Sequence, residues 1–141
     1  MSPNAKTHPK TNSSYVAIPL RLSAHTSLQV LVQPLAHTCM VFLTTTTPAS
    51  ATTAALGSFV YSVPNRLRPA EPLCTTLYTQ PGTVDFATRV AKTVAKRTGK
   101  PSYVGWSGEL EAGGVHFEEQ MEVFKNAVEA ILDALNPEST S

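Results

Sequence analysis

An apolar stripe near the end of the sequence sets the strongest limit on what the chain can fold into. Six apolar residues follow one another at intervals of four or three positions, which places them on one side of an α-helix. The stripe is short for a coiled coil, so we expect it to pack on a sheet. The predicted helix ends at Asn136-Pro137, and its apolar residues are Phe117, Met121, Phe124, Val128, Ile131 and Leu135.

A second amphipathic helix is predicted over residues 83–98, where small apolar residues recur at helical spacing. Thr83 is expected to be the N-cap residue of this helix. Gly99, followed by Pro101, is expected to end it. The apolar positions of the helix are Phe86, Ala87, Val90, Ala91, Val94 and Ala95.

The remaining apolar segments alternate with a period of two or form short β-branched runs, which is typical of strands. Pro19 falls within the first segment and places that strand at an edge or a bulge. The run that begins at Cys39 has the composition of a central strand, residues 35–38 are predicted to form a turn before it, and Gly57 is predicted to form a bulge. The predicted strands cover residues 16–22, 28–32, 39–47, 56–61, 73–78 and 102–107.

Together these elements predict an α+β fold in which two amphipathic helices cover a mainly antiparallel sheet of five or six strands. Their order along the chain is strands, helix, strand, helix. The length of 141 residues suits one domain. We expect that domain at residues 14–136, with a flexible N-terminal arm at 1–13 and a flexible C-terminal tail at 137–141.

Composition narrows the class of protein. Hydrophobic residues make up 42% of the sequence and charged residues 15%, which fits a globular protein rather than a disordered acidic one. The net charge of +1 gives no overall attraction to nucleic acid, and no apolar run reaches the roughly 18 residues of a membrane span. The N-terminal segment lacks the apolar core of a signal peptide, so we expect an intracellular protein with reduced thiols.

The small net charge hides a segregation of charges along the chain. Residues 1–82 carry a net charge of +4, residues 83–100 a further +4, and residues 101–141 a net charge of −7. Local potentials of this kind steer a partner that has a complementary surface. The same charges also fit the solvated faces of two helices, so both interpretations stay open at this point.

The sequence offers little material for catalysis. His37 and Cys39 lie two positions apart and would share one face of a hairpin, but no orienting third group for a thiol enzyme stands nearby. Cys39 and Cys74 fit better as small buried apolar groups. The histidines show no metal-ligand spacing, and no glycine-rich phosphate loop occurs. We therefore expect no catalytic residue, no bound metal and no cofactor.

Several segments are similar to one known family. At residues 85–107 a helix of small apolar residues ends in Lys-Arg-Thr, and a turn, a basic residue and an aromatic-rich strand follow. This block resembles the helix and strand of the proteasome assembly chaperone 4 family. Residues 28–43 are similar to the early strands of that family, and the helix from Phe117 looks like its final helix. The arm, the threonine run and the loop at 64–72 lie outside the resemblance.

The resemblance implies a non-enzymatic chaperone that helps to order the α-subunits of the 20S proteasome into a ring. The implied partners are those α-subunits and a related small chaperone, proteasome assembly chaperone 3, as the other half of a heterodimer. The implied location is the cytoplasm, with the nucleus as a further compartment, and neither nucleic acid nor membrane is an implied partner. A free sheet edge and segregated charges suit such pairing. The residues that we expect to form a surface for an acidic partner are Lys92, Lys96, Arg97 and Lys100.

Two other interpretations remain open at this point. The helix from Phe117 also suits docking into a partner's groove, which would make the chain a small intracellular protein-binding scaffold. In that case Met121 would contact the partner and not the core. The other alternative is a thiol enzyme that uses Cys39 and His37.

Overall fold

The computed structural model describes residues 13–20, 26–46, 56–108 and 117–136. Within these ranges it has six strands and two helices in the predicted order, which confirms the α+β fold. The predicted tail, and all but the last residue of the predicted arm, lie outside the described residues. The elements are β1 (Ser14–Pro19), β2 (Ser27–Pro34), β3 (Cys39–Thr46), β4 (Ser58–Val63), β5 (Leu73–Tyr78), α1 (Val84–Thr98), β6 (Ser102–Trp106) and α2 (Phe117–Leu135).

The six strands form one sheet in the order β1-β2-β3-β6-β4-β5. β3 and β6 are parallel, and the other neighbouring strands are antiparallel. After the β4–β5 hairpin the chain crosses through α1 and returns as β6 between β3 and β4. The central position of the strand from Cys39 is confirmed, and β1, which ends at Pro19, is an edge strand as the proline predicted. The predicted turn forms where the N–H of Leu35 donates to the carbonyl of Thr38 at 2.9 Å.

The start of β4 differs from the prediction. The strand begins at Ser58 and not at Leu56. Gly57 lies so close to β6 that a Cβ atom there would be 2.5 Å from the carbonyl oxygen of Trp106, so this glycine allows a close approach and does not form the bulge. The irregularity lies further on, where the pairing of β4 with β5 shifts after Phe59.

Both helices pack on the same face of the sheet. α1 covers β4, β5 and β6, while α2 contacts β1, β2 and α1. Small side chains let α1 approach closely, and the buried Ser102 hydroxyl donates to the carbonyl of Ala91 on α1 at 3.1 Å. The largest fully buried side chains of this core are Trp106, Leu28, Leu43, Ile131, Val30, Val32, Val41, Val60, Val90, Val94, Val104 and Val123.

Helix α1 has the predicted cap residues at both of its ends. Gly99 adopts a φ of 70°, and its N–H donates to the carbonyl of Ala95 at 2.9 Å, which confirms the glycine C-cap. Thr83 is the N-cap residue, as predicted, but its side chain makes no capping hydrogen bond. Its hydroxyl instead donates to the carbonyl of Gln80 at 2.9 Å and lies 2.6 Å from the hydroxyl of Ser58, so it ties the start of α1 to β4.

Most of the predicted stripe of α2 lies on the core, but the fully buried row is centred to one side of it. Val123, Ala127 and Ile131 are fully buried, because α2 packs on β2 with one flank and against α1 with the other. Met121 is 42% exposed, so its assignment to the core stripe is wrong. Its sulfur atom accepts a hydrogen bond from the guanidinium group of Arg89 at 3.8 Å.

Candidate partner-binding surface

Four aromatic side chains lie together on the sheet face opposite the helices. The rings of Phe42 and Phe59 are parallel within 2° with their centroids 6.0 Å apart. The ring of Tyr103 lies 5.8 Å from Phe59 and 4.5 Å from Tyr61. All four side chains are half-buried. We call this row, which runs across β3, β6 and β4, the aromatic face.

Strand alternation explains why these rings point away from the core. In β4 the buried Ser58, Val60 and Ser62 face the helices, so Phe59 and Tyr61 lie on the other side. This surface was not predicted from the sequence, in which the aromatic residues of β4 indicate only a strand. One feature of the sequence does point to it: in β4, apolar residues occur at both odd and even positions, which indicates a strand covered on both faces.

A groove of about 400 Å³ continues the aromatic face toward β1. Gly105 opens it, because a Cβ atom there would lie 2.9 Å from both Phe42 and Leu56. The side-chain oxygen of Gln29 is buried in this region and has no hydrogen-bond partner among the described residues. Its amide nitrogen donates to the hydroxyls of Ser27 and Thr46, at 2.9 and 3.0 Å. The groove therefore has largely apolar walls, and one of its lining residues, Gln29, keeps a buried acceptor without a partner among the described residues.

The sheet face that carries these rings has an area that can be estimated from the spacing of its strands. Five spacings of about 4.8 Å across the six strands, and about six residues per strand, give a face of roughly 500 Å². Tyr15, Leu31 and Leu56 add partly exposed apolar surface around the row. Partly exposed apolar side chains that are grouped on one face commonly mark a partner-binding surface, which makes this face a candidate for one.

The four predicted basic residues lie elsewhere, on and just after α1. All four are exposed. Lys92 and Lys96 lie beside a groove of about 520 Å³ between α1 and the loop that precedes β5, whereas Arg97 and Lys100 are not part of its lining. Their role in binding a partner remains a prediction. We call this space the lysine groove; its lining includes Asn65, Glu71, Leu73, Lys92, Thr93 and Lys96.

The two thiols lie on the helix-covered side of the sheet. Cys39 is 3% exposed, and burial raises the pKa of its thiol from 9.0 to about 11 despite the nearby ammonium group of Lys100. Burial also raises the pKa of Cys74, opposed by Lys92 and by a hydrogen bond with Thr88. A nucleophilic cysteine requires a lowered pKa and access to solvent, so the environment of Cys39 argues against the thiol-enzyme interpretation.

The raised pKa of Cys39 predicts a loss of stability at high pH. The folded chain keeps the thiol proton between pH 9 and 11 while the unfolded chain releases it, so the free energy of unfolding falls as the pH rises. The Cys39 thiol should lower the free energy of unfolding by about 2 kcal/mol between pH 8 and pH 10.5. Urea unfolding at both pH values measures the loss, and Cys39→Ala should show a smaller decrease. Equal decreases in the two proteins would contradict the assignment.

In the described ranges the chain has neither a metal-binding cluster nor a membrane-spanning helix. Within them, no group of three or more His, Cys, Asp or Glu side chains is placed to hold a metal ion. In the same part of the chain, no helix is long and apolar enough to cross a membrane.

Comparison with known proteins places the chain in a family. The family model for proteasome assembly chaperone 4 matches residues 25–107, which include β2, β3, α1 and β6. The chain belongs to the proteasome assembly chaperone 4 family. This confirms the resemblance stated from residues 28–43 and 85–107. The aromatic rings of β3, β4 and β6 thus all lie within the segment that matches the family model.

A solved structure with the same fold is a crystal structure of a novel chaperone complex for yeast 20S proteasome assembly. The matched chain of that complex is 14% identical in sequence and superposes with a TM-score of 0.63. The match covers 87% of this family member and 98% of the yeast chain. A search of curated protein sequences finds no match.

Proposed function

We propose that this chain is a non-catalytic chaperone that helps to assemble the α-ring of the 20S proteasome as a heterodimer with a proteasome assembly chaperone 3-like chain. Family membership supports a role in proteasome assembly. The observation that carries the proposal is the aromatic face, a row of half-buried rings that neither α1 nor α2 covers. The proposed site of action is the cytoplasm and the nucleus.

The aromatic face suits a partner of the same architecture. A second sheet packed face to face would lie about 10 Å away and would interdigitate its side chains with the four rings. A side chain of that partner that enters the groove at Gly105 would meet the buried oxygen of Gln29, which lacks a donor among the described residues. A protein–protein interface of standard size covers about 800 Å² on each partner, the same order as this sheet face and its rim.

In this fold the apolar row of α2 packs within the domain, which argues against a scaffold that docks this helix into a partner's groove. The apolar row of α2 at Val123, Ala127 and Ile131 is fully buried against β2 and α1. A partner groove would have to compete with the chain's own core for these side chains. Met121 is exposed on α2, but one methionine supplies little of the area that helix docking requires.

Co-expression tests the proposal directly. The tagged full-length chain and the chaperone 3-like protein of the same organism should co-purify, and native mass spectrometry should give the mass of a one-to-one complex. When the tagged chain is isolated from its own cells, proteasome α-subunits should accompany it. Recovery of the chain alone in both experiments would refute the proposed function.

A further inference from the structure

The second surface that stands out is the lysine groove together with the edge of the sheet beside it. β5 is the last strand of the sheet, so no described strand lies on its outer side. It runs from Leu73 to Tyr78 and contains no charged residue and no proline, the features by which natural edge strands avoid pairing with other chains. Most of its side chains are exposed, including Leu73 and Leu77.

The lysine groove lies at the start of this strand. Leu73 lines it from β5, and Lys92 and Lys96, one helical turn apart, line it from α1. Within the described ranges neither ammonium group forms an ion pair, and the one carboxylate in the lining, Glu71, is held by the guanidinium group of Arg68 at 3.5 Å. The groove therefore has an excess of positive charge.

The loop that forms the far wall is shaped by its own hydrogen bonds. The side-chain oxygen of Asn65 accepts the N–H groups of Leu67 and Arg68, at 3.0 and 3.3 Å. The N–H of Glu71 donates to the carbonyl of Arg68 at 2.8 Å. These bonds build two successive turns and hold the wall in place before a ligand binds. Binding therefore costs less free energy for ordering the loop.

We propose that the edge of β5 and the lysine groove together bind an extended acidic peptide segment, which adds to the sheet beside β5 and places carboxylates near Lys92 and Lys96. Main-chain hydrogen bonds to the strand edge supply affinity, and the two ammonium groups select for acidic side chains. The groove lies between α1 and the β4–β5 loop, on the side of the sheet away from the aromatic face. Both surfaces are thus available at the same time. This inference does not depend on the proposed heterodimer.

A synthetic peptide tests the inference on the full-length chain. The probe is a capped, fluorescent Glu-Glu-Thr-Val-Thr-Val-Glu-Glu peptide, which presents acidic ends in either strand direction. Its fluorescence anisotropy should show saturable binding that weakens at high salt. A peptide with lysine in place of each glutamate should not bind, nor should the acidic peptide with its four central backbone nitrogens methylated, because methylation removes the donors that pair with the strand edge.

Matched charge variants locate the site. Lys92→Glu/Lys96→Glu should weaken binding of the acidic peptide by about tenfold, since two attractive contacts become repulsive. Lys125→Glu reverses a charge at an exposed position of α2, outside the groove and outside the predicted basic surface, and should leave the affinity within about twofold. Hydrogen exchange should slow in Leu73–Tyr78 when the peptide is bound. Absence of binding, equal loss in Lys92→Glu/Lys96→Glu and in Lys125→Glu, or protection confined to α2 would each overturn the inference, whatever the result of the co-expression experiment.

Discussion

Replacing Trp106 by alanine is expected to lower the free energy of unfolding by about 3–5 kcal/mol. The indole is 1% exposed, and its centroid lies 4.4 Å from that of the Phe86 ring on α1. The chain at Gly108 lies so close that a Cβ atom there would be 2.3 Å from the indole. Because the backbone after β6 is fitted around this ring, truncation leaves a cavity that the surroundings fill poorly. Urea unfolding at pH 7 measures the loss.

Tyr103→Ala is the matched control for this prediction, since it lies on the same strand and faces the opposite side. Its ring is half-buried and contacts the rings of Tyr61 and Phe59. The expected cost is about 1–2 kcal/mol, from one partly exposed aromatic side chain and its stacking. Losses of equal size for Trp106→Ala and Tyr103→Ala would contradict the assignment of one face to the core and the other to solvent.

Periodicity was sufficient to predict the elements because each has one face on the core. The helical spacing in α1 and the alternation in β2 both follow from burial against a single layer. Gly99 was predictable as a C-cap because only the local backbone decides it. The hydrogen bond of the Thr83 hydroxyl could not be predicted, because its partner Ser58 lies 25 residues away in sequence. The two residues meet only after β4 and α1 have packed.

Packing between segments that are distant in sequence also explains why Met121 was assigned to the core and why the aromatic face was missed. Met121 and Phe124 fit the apolar stripe equally well, and only the position of α1 decides which of them is covered: the Phe124 ring packs against Phe86, while Met121 stays exposed. The aromatic face could be predicted only if the order of the strands in the sheet were known. Phe42 and Phe59 lie on strands that are not neighbours, and β6 between them carries Gly105 at the level of both.

The distribution of small and large residues in β4 and β6 links the fold to the proposed function. Serine hydroxyls at Ser58, Ser62 and Ser102 face α1 and are satisfied within the domain, so the helix approaches closely on that side. The large rings are thereby left on the opposite face. A chain that had to be stable only by itself would gain more from burying those rings beneath its helices, so this arrangement suits a subunit whose remaining apolar surface is covered by a partner.

Phe59→Glu is expected to weaken association with the chaperone 3-like partner by about a hundredfold or more. Phe59 lies in the middle of the row, with Phe42 and Tyr103 on either side. A charge at this position would be buried without a counter-charge on formation of the heterodimer, and central aromatic residues carry most of the free energy of such interfaces. Titration of the purified variant with the partner, followed by native mass spectrometry and anisotropy, gives the change in Kd.

Leu67→Glu provides the matched control, because it adds the same charge at a position that is 93% exposed in the loop before β5. This variant should bind the partner like the wild type. Circular dichroism and urea unfolding of Phe59→Glu should show a folded chain, since the side chain is half-buried and outside the helix-covered core. If folded Phe59→Glu bound the partner with unchanged Kd, the aromatic face would not be the pairing surface, and the outer sides of β1 and β5, which no described strand covers, would be the surfaces to test next.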